Sequence, residues 1–204
     1  MSLESFYKRS FDIVVVTLAG VICSPVLLLV ALLLLLFQGR ILFRQQRPGL
    51  RGNPFTLYKF CSMTEECDAR GVLLDDSQRL TRVGAMVRNL SLDELPQLWN
   101  VLKGEMSLVG PRPLLMEYLD RYTPEQARRH EVLPGITGWS QINGRNDLEW
   151  EQKLALDVWY VDHHSLALDM RILRTTALKV LRRDGISRNG HATTPKFMGS
   201  NSDV

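Results

Sequence analysis

The sequence predicts an α+β fold that is mainly helical. An N-terminal membrane helix, broken at Ser24-Pro25, precedes a small cytosolic domain with amphipathic helices at the membrane interface. Three observations lead there: a long uncharged apolar run, short extended pieces set off by proline and glycine, and helical spacing of apolar residues in later segments. At 204 residues the chain has room for one domain plus an anchor. Its parts read as an anchor over 1–40, a domain over 41–186 and a polar tail over 187–204.

The anchor rests on Ile13 to Phe37, 25 residues without a charge. As one straight helix this stretch is about 37 Å long, against about 30 Å of hydrocarbon. It is too long and too late in the chain for a signal peptide, and no small-x-small cleavage site follows it. Two features oppose a simple crossing. Pro25 removes the helical bond to the carbonyl four residues back, and the arms on either side of it are each too short to span. Both flanks are also basic, with Lys8 and Arg9 before and Arg40, Arg44 and Arg47 after, whereas positive residues stay cytoplasmic. A re-entrant helix-break-helix satisfies both flanks, with Ser24 able to partner a backbone group freed at the break. Spanning helices tolerate proline too, so these residues leave both topologies open.

Net charge is +3 with a pI near 8.9. Charge of that size does not imply nucleic acid, and no basic face is interleaved with aromatics. The stretch from Gly39 to Thr64 carries Arg40, Arg44, Arg47, Arg51 and Lys59 and no acid. These residues suit lipid headgroups or a substrate phosphate. Cys23, Cys61 and Cys67 have neither a zinc spacing nor an even count, which fits a reducing, cytosolic side. His130, His163, His164 and His191 show no metal-ligand pattern.

Ile41 to Phe60 reads as extended pieces broken by Pro48-Gly49, Gly52 and Pro54. Glu65 to Gln78 reads as a surface loop. Leu80, Val83, Met86, Val87 and Leu90 form a helical face that Arg88 lies away from. Leu114 to His130 reads as one or two helices broken at Thr123-Pro124, and Glu149 to Tyr160 as a helix. Asp169 to Arg183 is amphipathic, with Arg171, Arg174, Lys179, Arg182 and Arg183 beside an apolar side, so it can lie flat on an anionic membrane.

The chemistry centres on Leu90-Ser91-Leu92-Asp93-Glu94-Leu95-Pro96-Gln97-Leu98, with two adjacent carboxylates where a helix is expected to begin. Ser91 with Glu94 fits a capping box; alternatively Asp93 is the cap and Pro96 falls in the first turn. Free N–H groups and the positive helix end favour anions there. Two carboxylates would repel a phosphate, so a divalent cation is the natural third party. Acids are also simply common in first turns. Gly110-Pro111-Arg112-Pro113 fixes one arginine between two prolines, which suits bidentate phosphate binding and can include a cis bond. Leu133 to Trp139 and Asn143-Gly144-Arg145-Asn146 are loop signals; a glycine-rich loop with an arginine can hold a nucleotide, though neither a Walker loop nor G-x-G-x-x-G is present.

Taken together these segments resemble the bacterial sugar transferases, the monotopic phosphoglycosyl transferases, over nearly the whole chain. The motifs are Lys8-Arg9 with Asp12, Ser24-Pro25, Arg47-Pro48-Gly49, Tyr58-Lys59-Phe60, Ser91 to Gln97, Gly110 to Pro113, Pro134 to Gly138, and Asn143 to Asn146. The size matches the small form with a catalytic domain only. The ending Gly190 to Phe197 is similar to the subgroup that moves diacetylbacillosamine 1-phosphate. Cys61-Ser62-Met63 departs from the more basic Lys-Thr-Met expected there.

The resemblance implies a re-entrant anchor on the bacterial inner membrane, with the catalytic domain on the cytoplasmic face. It implies transfer of a sugar 1-phosphate from a UDP-sugar to undecaprenyl phosphate, releasing UMP, as the first membrane step of glycoconjugate assembly. It implies Mg²⁺ and a covalent sugar-phosphate on Asp93. Glu94 is then a metal ligand with Asp93, or its orienter. Lys59, Arg88 and Arg112 are candidates for phosphate contact, and Arg145 for the nucleotide side. Asp157 and Asp169 are expected to brace basic residues. Partners are the donor, the lipid acceptor and membrane lipid, without nucleic acid, and a homodimer is left open. The competing reading is a non-enzymatic, basic, membrane-anchored scaffold, which leaves Asp93, Glu94 and Arg112 without a purpose. The sequence does not name the sugar.

Overall fold

The computed structural model describes residues 3–144, 148–182 and 196–199. It is mainly helical, with one long N-terminal helix and two small sheets. Helix α1, Leu3–Gln38, is the one helix among the described residues long and apolar enough to cross a membrane. The helix continues through Pro25 rather than ending there. The reason is local: the carbonyl that Pro25 leaves without its helical donor belongs to Val21, and the Ser24 hydroxyl donates to it at 2.8 Å.

Both arms of α1 seat on the domain. In the first arm, Lys8 pairs with Asp169 at 2.5 Å, Arg9 donates to the Leu102 carbonyl at 2.9 Å, and Asp12 accepts from Leu108 N–H at 3.3 Å. Val16 is fully buried among Phe55, Leu57, Val101, Met106 and Tyr160. In the second arm, Val30 and Leu34 pack on Phe60 and Val87, and Gln38 donates to the Thr81 hydroxyl. Between and around these contacts Ile22, Leu28 and Leu36 stay exposed, so much of the apolar surface of α1 has no protein against it.

Strands β1, Leu42–Pro48, and β2, Pro54–Phe60, form an antiparallel hairpin in which Phe43 faces Lys59 and Pro48 faces Pro54. The turn falls on the Pro48-Gly49 to Pro54 punctuation. Helices α2, Asp76–Arg79, and α3, Arg82–Asn89, follow a connection that is not wholly loop: Met63 bridges Leu80 and Cys67 bridges Leu73. Thr81 caps α3 by accepting from Gly84 N–H at 2.9 Å. A Cβ on Gly84 would stand 1.8 Å from the Ser62 carbonyl, so only glycine lets α3 sit on the chain just after β2.

Helix α4, Gln97–Lys103, ends at Gly104 in the left-handed region (φ 83), as that glycine suggested. Strand β3, Ser107–Val109, runs parallel to β4, Gly135–Thr137. The two glycine motifs belong to this packing: a Cβ on Gly135 would meet Gly110 N at 2.1 Å, and one on Gly138 would meet Gly110 O at 2.3 Å. The segment expected as one or two helices over Leu114–His130 is mostly 3₁₀ turns around a short α5, Pro124–Ala127, with a Thr123–Gln126 capping box at the expected break. A short α6, Trp139–Ile142, leads on to α7, Trp150–His163, and α8, Leu166–Arg182. In α8, Asp169 and Ile172 are buried while Met170, Leu178 and Leu181 are exposed beside Arg171, Arg174 and Lys179. That is the face an interfacial helix presents. All peptide bonds described, those around Arg112 included, are trans.

Candidate active site

Asp93 and Glu94 lie in a 3₁₀ turn, Leu92–Glu94, between α3 and α4. The capping box expected at Ser91 is not formed. Ser91 terminates α3 instead: it follows the helix in the left-handed region (φ 55, ψ 23), and its N–H returns to the Arg88 carbonyl at 2.9 Å. Asp93 is not a cap either, because α4 begins four residues later, with Pro96 preceding its first residue. Pro96 thus costs α4 no bond. The helix-end field expected to hold anions gives way to side-chain cations.

Those cations converge on Glu94. Lys59 Nζ lies 2.8 Å from Glu94 Oε1, and Arg112 reaches both carboxylate oxygens, at 2.5 and 3.4 Å. Strand alternation explains Lys59: Phe55 and Leu57, four and two residues before it, are buried, so Lys59 continues their inward face toward the core's rim. Asn100 then ties β2 to α4, donating to the Thr56 carbonyl at 2.7 Å and accepting from Tyr58 N–H at 3.2 Å. The hairpin carrying Lys59 is therefore fastened to the helix that follows the two carboxylates.

Burial pushes the Glu94 carboxyl up, but Arg112 and Lys59 outweigh it and hold the group well below the usual carboxylate range. Asp93 has the opposite fate. Burial, and then the Glu94 charge, raise it, with Lys59, Arg88 and Arg112 pulling partly back. Among the described residues Asp93 has no hydrogen-bond or ion-pair partner. Lys59 is lowered by burial, against the pull of Glu94. The site therefore contains one anchored, permanently ionised carboxylate beside one open carboxylate, under a cluster of cations.

Behind Arg112 stands a buried brace. Arg129 donates to the Arg112 carbonyl at 2.7 Å and to Asp157 at 2.6 and 3.1 Å, and Ser140 donates to the other Asp157 oxygen at 2.6 Å. Arg129 and Asp157 are each only 2% exposed. Asp169 plays the same part for Lys8 and accepts from the Tyr160 hydroxyl at 2.7 Å.

With these residues in place, the comparison with known proteins decides the family. The profile of the family described as bacterial sugar transferase matches residues 3–183. This chain belongs to the bacterial sugar transferases. It is 55% identical over 195 residues to a Bacillus subtilis (strain 168) protein named uncharacterized sugar transferase EpsL, covering 95% of this chain and 96% of that one. It is 39% identical to the undecaprenyl-phosphate galactose phosphotransferase of Salmonella typhimurium, over 88% of this chain but only 41% of that protein. It is 41% identical to the UDP-glucose:undecaprenyl-phosphate glucose-1-phosphate transferase of Caulobacter vibrioides, over 87% of this chain and 70% of that one.

Set in this bacterial sugar transferase, the expected site residues fall as follows. Asp93, Glu94, Lys59 and Arg112 come together, with Arg88 within electrostatic reach of Asp93 from the last turn of α3. Arg145 lies outside the described residues. Asn100 and Arg129 were missed. Nothing periodic marks a buried polar clip, although Arg129 falls in the Arg128-Arg129-His130 cluster where burial of a basic residue could be suspected. Arg47, one of the residues suited to lipid headgroups or a substrate phosphate, is driven down to about 10 by burial and then by the Arg112 charge.

Proposed function

We propose that this transferase moves a sugar 1-phosphate from a UDP-sugar to undecaprenyl phosphate through a covalent aspartyl intermediate on Asp93. The observation that carries this is the contrast within the pair: Glu94 is clamped by Lys59 and Arg112, while Asp93 stands free and half-buried beside them. In the first step an Asp93 carboxylate oxygen attacks the β-phosphorus of the donor. An acyl phosphate bond forms between that oxygen and the phosphorus, the bond to the bridging oxygen breaks, and UMP leaves. In the second step a phosphate oxygen of the lipid attacks the same phosphorus and Asp93 departs as carboxylate. Splitting the displacement lets one small site serve two bulky substrates in turn. Lys59 and Arg112 neutralise the charge that gathers on the transferring group.

Asp93 fits as a holder of Mg²⁺. The ion commonly takes one or two carboxylates and completes its shell with substrate phosphates and water, and a buried, like-charge-raised carboxylate gains from a cation beside it. Glu94, already occupied by two cations, is then the residue that orients Lys59 and Arg112 rather than a second free ligand. When bound, Mg²⁺ supplies charge neutralisation at the diphosphate.

We read α1 as re-entrant. Lys8 and Arg9 at one end and Gln38 at the other all bind the same domain, which a helix crossing to the far side could not do. On this reading the domain lies on the cytoplasmic face of the inner membrane, the side that the basic flanks of α1 favour, with the acceptor's phosphate at headgroup level and its tail left in the bilayer. The relatives' names carry different sugars, so the sugar is left for a panel of UDP-sugars to identify. The test is UMP release. One equivalent should appear without lipid acceptor, an adduct should be seen by intact mass, and Asp93→Asn should abolish both. Lipid product without any adduct would mean direct transfer. Release of no UMP from any donor, with lipid binding intact, would favour the scaffold.

A further inference from the structure

The described C-terminal segment, residues 196–199, returns to the domain by a single buried side chain. Phe197 is 2% exposed, whereas Met198 beside it is 71% exposed and the Lys196 side chain also 71%. The Phe197 ring enters a socket of Tyr118, Tyr122 and Trp150, with centroids 5.7, 5.7 and 5.5 Å away. Its backbone is held as well: its N–H donates to the Tyr118 hydroxyl at 3.2 Å, and Arg121 donates to its carbonyl.

The socket is not an isolated patch of core. Tyr118 and Tyr122 lie on the stretch that follows Arg112, and Trp150 opens α7, the helix that carries Asp157. Tyr122 stacks on Phe197 on one side and has the Arg129 guanidinium carbon 5.8 Å from its ring centroid. Arg129 in turn holds the Arg112 carbonyl at 2.7 Å and Asp157 at 2.6 Å. A continuous path of contacts therefore runs from the tail to the arginine that faces Glu94.

We propose that Phe197 is a positioning residue for donor binding: seated between Tyr122 and Trp150, it sets the Arg129 brace and, through the Arg112 backbone, the aim of the Arg112 guanidinium. This rests on the transferase reading above for its catalytic consequence, but not for the brace itself. A residue acting at such a distance alters one substrate's affinity by a modest factor and leaves the chemistry's participants untouched.

The test uses the full chain with Phe197→Ala and Phe197→Leu, the second keeping most of the volume so that a folded variant is available. Amide hydrogen exchange, well below each variant's melting temperature, should quicken at Arg112 and from Tyr118 to His130 in Phe197→Ala and recover in part in Phe197→Leu. The donor KM should rise roughly tenfold in Phe197→Ala with the acceptor KM unchanged. Unchanged exchange at Arg112 would overturn the proposal. So would an equal rise in both KM values, tracking the fall in melting temperature, since that marks a merely structural residue. Altered exchange in a protein whose wild type releases UMP from no donor would uphold the brace and sink the transferase reading instead.

Discussion

Arg129 donates at once to the Arg112 carbonyl, at 2.7 Å, and twice to one oxygen of the buried Asp157 carboxylate, at 2.6 and 3.1 Å. Breaking such a pair strands a charge with no solvent. Asp157→Ala should therefore destabilise the protein by about 3–5 kcal/mol. The same change frees the Arg112 segment. Urea unfolding of the detergent-solubilised protein reads the stability loss. A double replacement, Arg129→Met with Asp157→Leu, should recover much of the stability but not the UMP-release rate, because the hold on the Arg112 carbonyl is still gone. Recovery of both together would show that the brace serves folding alone.

The open carboxylate has its own pH signature. Burial and the Glu94 charge raise Asp93, so its nucleophilic form is lost on acidification at a higher pH than for an ordinary aspartate. The acid limb of kcat/KM for UMP release should sit above the range of an ordinary aspartate. In Glu94→Gln the like charge disappears and Lys59 and Arg112 act on Asp93 undiluted. The limb of the residual activity should then move to lower pH. A limb that stays put would detach Asp93 from the titration.

The site was legible in its chemistry and only partly in its assembly. The carboxylate pair, Lys59 and the proline-held Arg112 stand out because such residue types in fixed backbone are rare. Their meeting is another matter, since Lys59 and Arg112 lie 35 and 18 residues from Glu94 and no local spacing reports it. The Ser91 cap failed because one residue with φ 55 turns a helix start into a helix stop, and side-chain pattern is blind to that. Helices α3, α7 and α8 followed from periodicity, and the extended pieces over 41–60 from their proline and glycine breaks, but the pairing of β1 with β2 was not read. Strands β3 and β4 did not, being three residues each, and their glycines read as loops although they mark two backbones in contact.

Close approach also makes Gly84 a sensitive position. Its Cβ would stand 1.8 Å from the Ser62 carbonyl, a backbone atom with nowhere to go. Gly84→Ala should push α3 off the chain after β2 and cost about 1–3 kcal/mol, the ordinary range for overpacking. Lys59 lies three residues before Ser62, so UMP release should fall along with thermal stability. A variant as stable and active as wild type would mean that α3 has more freedom than its packing implies.

His130 adds a stability switch. Burial, then the Arg129 charge, lowers its imidazole to about 4, and its Nε2 has no hydrogen-bond partner. The folded protein therefore resists protonation that the unfolded chain accepts near 6.5. Above that pH both states carry a neutral ring and nothing is lost. As pH falls from about 6.5 to about 4 the unfolded state binds the extra proton, and stability declines by about 3 kcal/mol. His130→Gln should flatten this part of the stability–pH curve, and an unchanged slope would assign it to other groups.

The anchor's topology yields the last prediction. A helix of 36 residues is about 54 Å long if straight, far more than a bilayer core. Yet Lys8 and Gln38, near its two ends, both bind the domain. With Cys23, Cys61 and Cys67 replaced by serine or alanine, single cysteines at Phe6 and at Gly39 should both resist an impermeant maleimide applied to the outside of intact cells. Both should react from the inner face in inverted vesicles. Replacing Ser24 by alanine removes the donor that satisfies Val21 in place of the missing helical bond, at a cost of about 1–3 kcal/mol for an unpaired carbonyl. That loss should lower the amount of protein inserted without changing which face the two labels report. A cysteine at Phe6 labelled from outside, with Gly39 labelled only from inside, would establish a crossing and require the seating of Lys8 on Asp169 to be abandoned.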